Sequence, residues 1–234
     1  MRSCDERFST GATWHPDDSL GQTDGLVLSD RLEGLPGSRR TVGITDPVGR
    51  VLERLAAVEG AGGVVIVGIS GFGGSGKSTL AAALANVLKA PTVSTDEFTT
   101  EAVLHPSDDW NGIDRARLVR QILVPLRQGA RRITYDSSGD WEAWTTVPKT
   151  LDLAGNHFIV EGVGLFHPDV LPFLDLTVWI DIDPAASTRR GLARDTQAGQ
   201  DDRSIWNDVW APNDLRFAEV FDPKVRADVV IDAQ

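Results

Sequence analysis

The 234-residue sequence has one cysteine, four histidines and no excess of basic residues. A single cysteine, Cys4, excludes an internal disulfide and a cysteine-based zinc site, and four scattered histidines do not form a metal-binding motif. The formal net charge is −11, so no surplus of Lys and Arg is available to neutralise nucleic-acid phosphates. We therefore expect no nucleic-acid partner.

Long apolar segments are also missing. The sequence contains no run of about 18 apolar residues, which is the minimum for a membrane-spanning helix. Residues 1–7 become acidic at once and lack the apolar centre of a secretion signal. These two absences predict a cytosolic protein with no membrane partner.

The length and the 41% hydrophobic content fit one domain with a substantial core. Residues 1–45 are rich in Gly, Ser, Asp and Thr and predict an irregular N-terminal arm, whereas residues 46–234 predict a single folded domain. Asp46 and Pro47 resemble a helix N-cap followed by proline at the first helical position. An amphipathic helix is expected to begin there.

A glycine-rich segment follows the apolar run of residues 64–69 and precedes a helical pattern. Two glycines separated by four residues, the second followed by Lys-Ser, predict a loop whose backbone N–H groups surround a polyphosphate. Lys77 would reach the outer phosphates and Ser78 would bind Mg²⁺; the alternative is a glycine-rich turn without a ligand. The predicted nucleotide-binding residues are Gly71, Gly73, Gly74, Ser75, Gly76, Lys77, Ser78 and Thr79.

Short apolar runs alternate with helical patterns along the rest of the chain. Such runs are typical of buried parallel strands joined by right-handed crossovers. The predicted fold class is therefore α/β, a three-layer sandwich around a parallel sheet. Ligands in such sheets bind beyond the carboxyl ends of the strands.

Two carboxylates stand at predicted strand ends. Asp96 follows the run Thr92–Ser94 and could accept a proton from an attacking hydroxyl. Glu161 follows Phe158–Val160 and could hold Mg²⁺ through water. The alternative for either acid is a helix cap.

Arginines and tryptophans supply further candidates, each with a simpler alternative. The cluster Arg189, Arg190, Arg194 and Arg203 indicates either a site for a small anion or a solvated helix face. Three tryptophans in polar segments either line an acceptor pocket, where a flat ring could stack, or pack as clips over the sheet. These tryptophans are Trp110, Trp141 and Trp144.

Several motifs, in this order, resemble the uridine kinase branch of the P-loop kinases, the relatives of phosphoribulokinase and pantothenate kinase. The resemblance covers roughly residues 64–232. It rests on the segments 71–79, 94–98 (Ser-Thr-Asp-Glu-Phe), 134–136 (Thr-Tyr-Asp), 160–164 (Val-Glu-Gly-Val-Gly), 190–195 (Arg-Gly-Leu-Ala-Arg-Asp), 221–223 (Phe-Asp-Pro) and 226–230 (Arg-Ala-Asp-Val-Val).

This resemblance implies a P-loop kinase fold with an arginine-bearing lid, and ATP and Mg²⁺ as cofactors. It implies that Asp96 is the catalytic base, that Lys77 and Ser78 hold phosphate and Mg²⁺, and that Glu161 supports the metal. Arg190 and Arg194 would stabilise the transferring phosphoryl group. The acceptor pocket would include Phe98, Tyr135 and Asp136.

The predicted function is an ATP-dependent transfer of phosphate to a hydroxyl of a small metabolite, most simply a nucleoside. Two alternatives stay open at this point. One is a nucleotide-binding regulator or NTPase switch that transfers no phosphate, and the other is a kinase for a specialised alcohol such as an antibiotic.

Overall fold

The computed structural model describes residues 46–58, 63–140, 143–200 and 203–233. The expected irregular arm, residues 1–45, and Trp141 lie outside the described residues. Within them the strands are β1 Val65–Gly71, β2 Thr92–Ser94, β3 Arg132–Asp140, β4 Thr145–Asp152, β5 His157–Glu161, β6 Leu176–Asp181 and β7 Val229–Asp232.

The helices lie before β1 and in the connections β1–β2, β2–β3 and β6–β7. They are α1 Pro47–Val58, α2 Lys77–Leu88, α3 at residues 115–127, α4 Pro184–Gln197 and α5 at residues 203–221. Two of them contain a π-helical segment, Val119–Leu123 in α3 and Trp206–Trp210 in α5. Short 3-10 turns lie at Thr95–Phe98, Glu101–Leu104 and Leu171–Phe173.

The main sheet has five strands in the order β2-β5-β1-β6-β7. All neighbouring strands in this sheet run parallel. The carboxyl ends of β1, β2 and β5 therefore meet at one edge, which brings the segments that follow them together.

Helices cover both faces of the sheet. On one face, Val51 and Leu55 of α1 pack with Leu84 of α2 against strand residues such as Ile69 and Val178. On the opposite face, α3 and the end of α5 pack against the sheet. The buried residues of this second core include Ile66, Phe158, Val160, Trp179, Leu118, Ile122, Leu126, Phe166 and Phe217. Alternate residues of the strands supply the two cores, so the predicted three-layer α/β sandwich is confirmed.

The predicted start of α1 is also found. The carboxylate of Asp46 accepts hydrogen bonds from the backbone N–H groups of Val48 at 3.1 Å and Gly49 at 3.2 Å. Pro47 takes the first helical position, where its missing N–H costs nothing.

An antiparallel hairpin of β3 and β4 forms a second, two-stranded sheet. Most of β4 is solvent exposed, so its sequence lacks the apolar alternation that predicts a strand. The hairpin places Tyr135 and Asp136 beside the segment that follows β2, because Tyr135 hydrogen-bonds Glu97.

No helix in the described ranges is long and apolar enough to cross a lipid bilayer.

Candidate active site

The glycine-rich loop joins the end of β1 directly to the start of α2. Gly74 and Gly76 have φ of +82° and +103°, a left-handed conformation that glycine adopts without strain. This path turns the chain so that the amino end of α2 faces the carboxyl edge of the sheet. The positive end of a helix in this position attracts phosphate.

Lys77 begins α2 and is 8% exposed. Its ammonium group donates a hydrogen bond to the carbonyl of Phe72 at 2.8 Å, within the same loop. The carbon stem is thereby buried while the charge is held at the loop. A phosphate bound in the loop would offer this ammonium a stronger, ionic acceptor.

Ser78 and Glu161 meet across the junction of α2 and β5. The Ser78 hydroxyl donates to Oε1 of Glu161 at 3.0 Å, and Glu161 is only 6% exposed. Desolvation raises the pKa of Glu161, the nearby Lys77 opposes this rise, and the negative charge of Asp96 adds to it. The site would therefore gain from a bound cation.

A hydroxyl beside a carboxylate is an oxygen donor set that fits Mg²⁺. Across the described residues, no group of three or more His, Cys, Asp or Glu side chains could hold a metal ion. Mg²⁺ usually takes one or two protein ligands together with substrate phosphates and water, so Ser78 and Glu161 suffice as its protein contribution.

Asp96 lies in the 3-10 turn that follows β2, on the same edge of the sheet. This turn is capped by Ser94, whose hydroxyl accepts from the Asp96 N–H at 3.2 Å, while the Glu97 carboxylate accepts from the Ser94 N–H at 3.3 Å. Ser94 and Glu97 thus do the capping, and the alternative of Asp96 as the cap loses its basis.

The carboxylate of Asp96 lies close enough to the phosphate loop to interact with the charge of Lys77. Desolvation by the surrounding protein raises its pKa, while the positive charges of Lys77 and Arg194 oppose that rise. Asp96 nevertheless keeps solvent-exposed surface, which limits the rise. The charges of the loop lysine and of one predicted arginine therefore both act on the predicted base.

Helix α4 is attached to the loop through small residues. The Ser187 hydroxyl donates to the Gly73 carbonyl at 2.7 Å. A Cβ on Gly74 would lie 2.3 Å from the Ser187 carbonyl oxygen and 2.7 Å from the backbone nitrogen of Gly191. Only glycine permits this close approach of helix and loop.

We expect Gly74→Ala to weaken nucleotide binding and to lower the unfolding temperature. The substitution combines the strain of a positive φ, about 1–2 kcal/mol, with overpacking against Ser187, about 1–3 kcal/mol. The matched control is Gly129→Ala, which has a similar φ of +89° but nothing within 4 Å of the added Cβ. Thermal unfolding should separate the two; equal losses would contradict the packing argument.

The exposed arginines of α4 lie beside this contact. Arg194 is 67% exposed at its side chain, and its Nε donates to Oδ1 of Asp195 at 2.8 Å. Asp195 is buried and accepts from the Trp206 indole at 2.7 Å, so it holds the Arg194 guanidinium from a fixed position. Arg190 is likewise exposed on the same helix.

The predicted acceptor residues occupy different environments. Phe98 has no exposed surface and stacks on Tyr135, with 5.7 Å between ring centroids. Tyr135 is 2% exposed, and its hydroxyl donates to Glu97 at 2.7 Å. Burial and this hydrogen bond raise the pKa of Tyr135. These two rings support Glu97 and the turn that carries Asp96 and do not present a face to an acceptor.

Asp136 and Trp144 remain accessible. The Asp136 carboxylate accepts from the Gln121 amide at 2.8 Å and is partly buried. Trp144 is partly buried at the turn between β3 and β4, where it packs against the core. Trp110 is 4% exposed, so it follows the second alternative, an aromatic clip over the sheet.

Two acidic groups near the site, Glu97 and Asp214, are not among the predicted site residues. Glu97 gathers hydrogen bonds from Tyr135, Ser137 and Lys149 onto Oε2, at 2.7–3.0 Å. Asp214 reaches the phosphate loop from 141 positions away. A contact of that sequence separation cannot be found from a local motif.

No protein-family model and no curated protein matches this sequence. Solved structures do match it. A possible uridine kinase from Bacillus stearothermophilus is 22% identical with a TM-score of 0.61, covering 79% of this chain and 97% of that chain. A candidate fructose transport system kinase from a Silicibacter species is 20% identical with a TM-score of 0.63, covering 79% and 98%.

A third match is D-glycerate 3-kinase from Cryptococcus neoformans, 14% identical with a TM-score of 0.55, covering 75% of this chain and 87% of that chain. The chain has the P-loop kinase fold. The structural likeness to the uridine kinase branch, which the order of motifs predicts, is thereby confirmed at the level of the fold.

Proposed function

We propose that the protein is an ATP-dependent phosphotransferase that acts on a hydroxyl of a small metabolite. The observation that carries this proposal is that Asp96, Lys77 and Glu161 lie at the carboxyl edge of one parallel sheet, where the Ser78 hydroxyl donates to Glu161 at 3.0 Å. A loop that only senses a nucleotide needs phosphate and metal contacts. A carboxylate placed as a base beside the loop serves transfer to an acceptor.

The donor site follows from the loop. Backbone N–H groups and the amino end of α2 hold the polyphosphate of ATP, and Lys77 pairs with its outer phosphates. Ser78 and Glu161 would hold Mg²⁺, which when bound neutralises charge on the phosphate oxygens. The ammonium of Lys77 would exchange its hydrogen bond to the Phe72 carbonyl for this ionic contact.

We expect the transfer to take place between the phosphate loop and Asp96. The acceptor oxygen forms a bond to the γ-phosphorus as the bond from that phosphorus to the β-phosphate oxygen breaks, and ADP leaves. The acceptor hydroxyl gives its proton to the Asp96 carboxylate.

The acceptor is a small hydroxylated molecule, and a nucleoside is our first candidate. The fold likeness to a possible uridine kinase supports that choice. Asp136 offers an acceptor for ribose O–H or base N–H groups, and Trp144 offers a ring at the hairpin turn.

A screen would test this function directly. ATP consumption is followed with nucleosides, vitamins and sugars, and mass spectrometry identifies any product that carries an added phosphate. We expect ADP formation to require one class of acceptor. ATP consumption without a phosphorylated product, or with no acceptor dependence at all, would argue for the NTPase alternative.

Arg194→Ala should lower the transfer rate by about 10-fold to 100-fold, the range of one charged hydrogen bond, and should change ATP affinity much less. Its guanidinium would stabilise charge that develops on the transferring phosphoryl oxygens only during the reaction. Arg194→Lys should restore part of the rate, since an ammonium cannot make a bidentate contact.

The control is Arg189→Ala, which removes another exposed arginine from α4. Single-turnover kinetics with a saturating acceptor would report the chemical step. Equal rates for Arg194→Ala and the unmodified protein would exclude a role of Arg194 in phosphate transfer and favour the alternative of a solvated helix face.

A further inference from the structure

Asp214 is a buried carboxylate whose two oxygens serve two different segments of the chain. It is 7% exposed and lies in α5. Oδ2 accepts the backbone N–H of Gly73, in the phosphate loop, at 2.6 Å. Oδ1 accepts the indole N–H of Trp110 at 3.1 Å.

The neighbouring residues of α5 reinforce this attachment. Trp206 packs so closely on the loop that a Cβ on Gly73 would lie 2.8 Å from its ring. Asn213 accepts from the Ser107 N–H at 2.7 Å and donates to the His105 carbonyl at 3.1 Å. Helix α5 therefore holds residues 105–110 with one set of bonds and the phosphate loop with another.

A buried carboxylate in this position is costly. Desolvation raises the pKa of Asp214 to about 6, and the charge of Lys77 and the bonds from Gly73 and Trp110 hold it from rising further. An apolar residue that packed well would avoid this penalty. An acidic residue is nevertheless suited to this position, because its two oxygens can accept from both the Gly73 N–H and the Trp110 indole N–H.

We propose that Asp214 is a positioning residue that fixes the conformation of the phosphate loop and couples it to the Trp110 segment. This inference rests on the proposed function of the loop as a nucleotide site. Asp214 touches neither reacting atom in the proposed transfer; it acts through the Gly73 backbone. Its partner Trp110 lies in the segment that follows the Asp96 turn, so one carboxylate joins the phosphate loop to that segment.

Only the ionised carboxylate of Asp214 accepts well from both the Gly73 N–H and the Trp110 indole N–H. A protonated Asp214 carries a hydrogen on one oxygen, which then faces an N–H donor and loses that bond. Since the pKa is raised, this change occurs as the pH falls through about 6 and is absent at higher pH. The loop is therefore expected to bind nucleotide less tightly below that pH.

Other charged groups flank this contact and stay the same in the variants below. Lys77 faces Asp214 from α2. Asp195 lies beyond Trp206, and the ion pair of Asp109 and Arg115 flanks Trp110.

The test measures the affinity for Mg-ADP by calorimetry between about pH 5 and pH 8, together with the unfolding temperature. Mg-ADP needs no acceptor, so the outcome does not depend on which metabolite is phosphorylated. Asp214→Asn keeps the shape but can accept from only one of the two donors. Trp110→Phe keeps most of the packing and removes the indole N–H. Glu219→Gln, an exposed acid of the same helix, is the control.

We expect Asp214→Asn to bind Mg-ADP about 10-fold more weakly at pH 8 and to lose the component of the pH dependence centred near 6. Its unfolding temperature should change by only a few degrees, because removal of a buried charge offsets the lost hydrogen bond. Trp110→Phe should move that pH component upward, since the indole hydrogen bond lowers the pKa of Asp214 and its removal raises it. Glu219→Gln should match the unmodified protein.

The nucleotide's own titration and those of Asp96 and Glu161 are common to all variants and cancel in the comparison. Unchanged affinity and an unchanged pH profile in Asp214→Asn would overturn the proposal. So would a loss of affinity in Asp214→Asn and Trp110→Phe that only follows a collapse of the unfolding temperature, because the contact would then be structural. If Mg-ADP does not bind the unmodified protein at any pH, the proposed nucleotide site itself is wrong.

Discussion

Lys77→Ala is expected to lower phosphotransfer by about 100-fold to 1000-fold, the loss typical of one electrostatic donor to a transition state. The ammonium is held at the loop by the Phe72 carbonyl, so it is already placed where outer phosphates would lie. Its removal leaves the charge that develops on the transferring group without its lysine partner.

Because the Lys77 stem is buried, alanine also removes packing. Lys77→Met retains most of the stem and removes only the charge, so it should show nearly the same kinetic loss with a smaller change in unfolding temperature. Lys89→Met, at the other end of α2, controls for the loss of a lysine charge. Full activity and unchanged ATP affinity in both Lys77 variants would contradict the phosphate-loop assignment.

Asp96→Asn is expected to reduce kcat by about 10²-fold to 10⁴-fold, the usual contribution of a general base. The amide has the shape of the carboxylate but cannot take the acceptor proton. The capping bonds of the turn come from Ser94 and Glu97, so the local structure should persist. Affinity for ATP should change little.

The control is Glu101→Gln, which neutralises an exposed acid in the next 3-10 turn. Steady-state kinetics with the acceptor found by screening would give kcat and KM separately. A loss below about threefold in Asp96→Asn would exclude Asp96 as the base.

The sequence predicts the part of this fold that local patterns specify. Asp46 and Pro47 mark the start of α1, and the apolar runs mark most of the parallel strands, because burial on both faces demands continuous apolar residues. The β3–β4 hairpin is missed because most of β4 is exposed and carries no apolar alternation.

The residues of the candidate site also fall into two groups, those predictable from local sequence position and those placed by tertiary contacts. Lys77 and Glu161 can be predicted because each follows a strand or begins a helix, so local position fixes their edge of the sheet. Burial of Phe98 and Tyr135 cannot be predicted in this way, since it depends on how the hairpin docks on the Asp96 turn. The contact of Asp214 with Gly73 joins residues 141 positions apart, so it depends on how α5 packs against the phosphate loop.

The fate of the γ-phosphate of ATP tests the central claim most directly. ATP labelled at that phosphate is incubated with the protein, Mg²⁺ and the acceptor panel, and the label is traced by chromatography and mass spectrometry. The proposed function predicts that the label moves to one acceptor in equal amount to the ADP formed, and that Asp96→Asn slows this movement. Label found only in inorganic phosphate, at a rate that no acceptor changes, would contradict it.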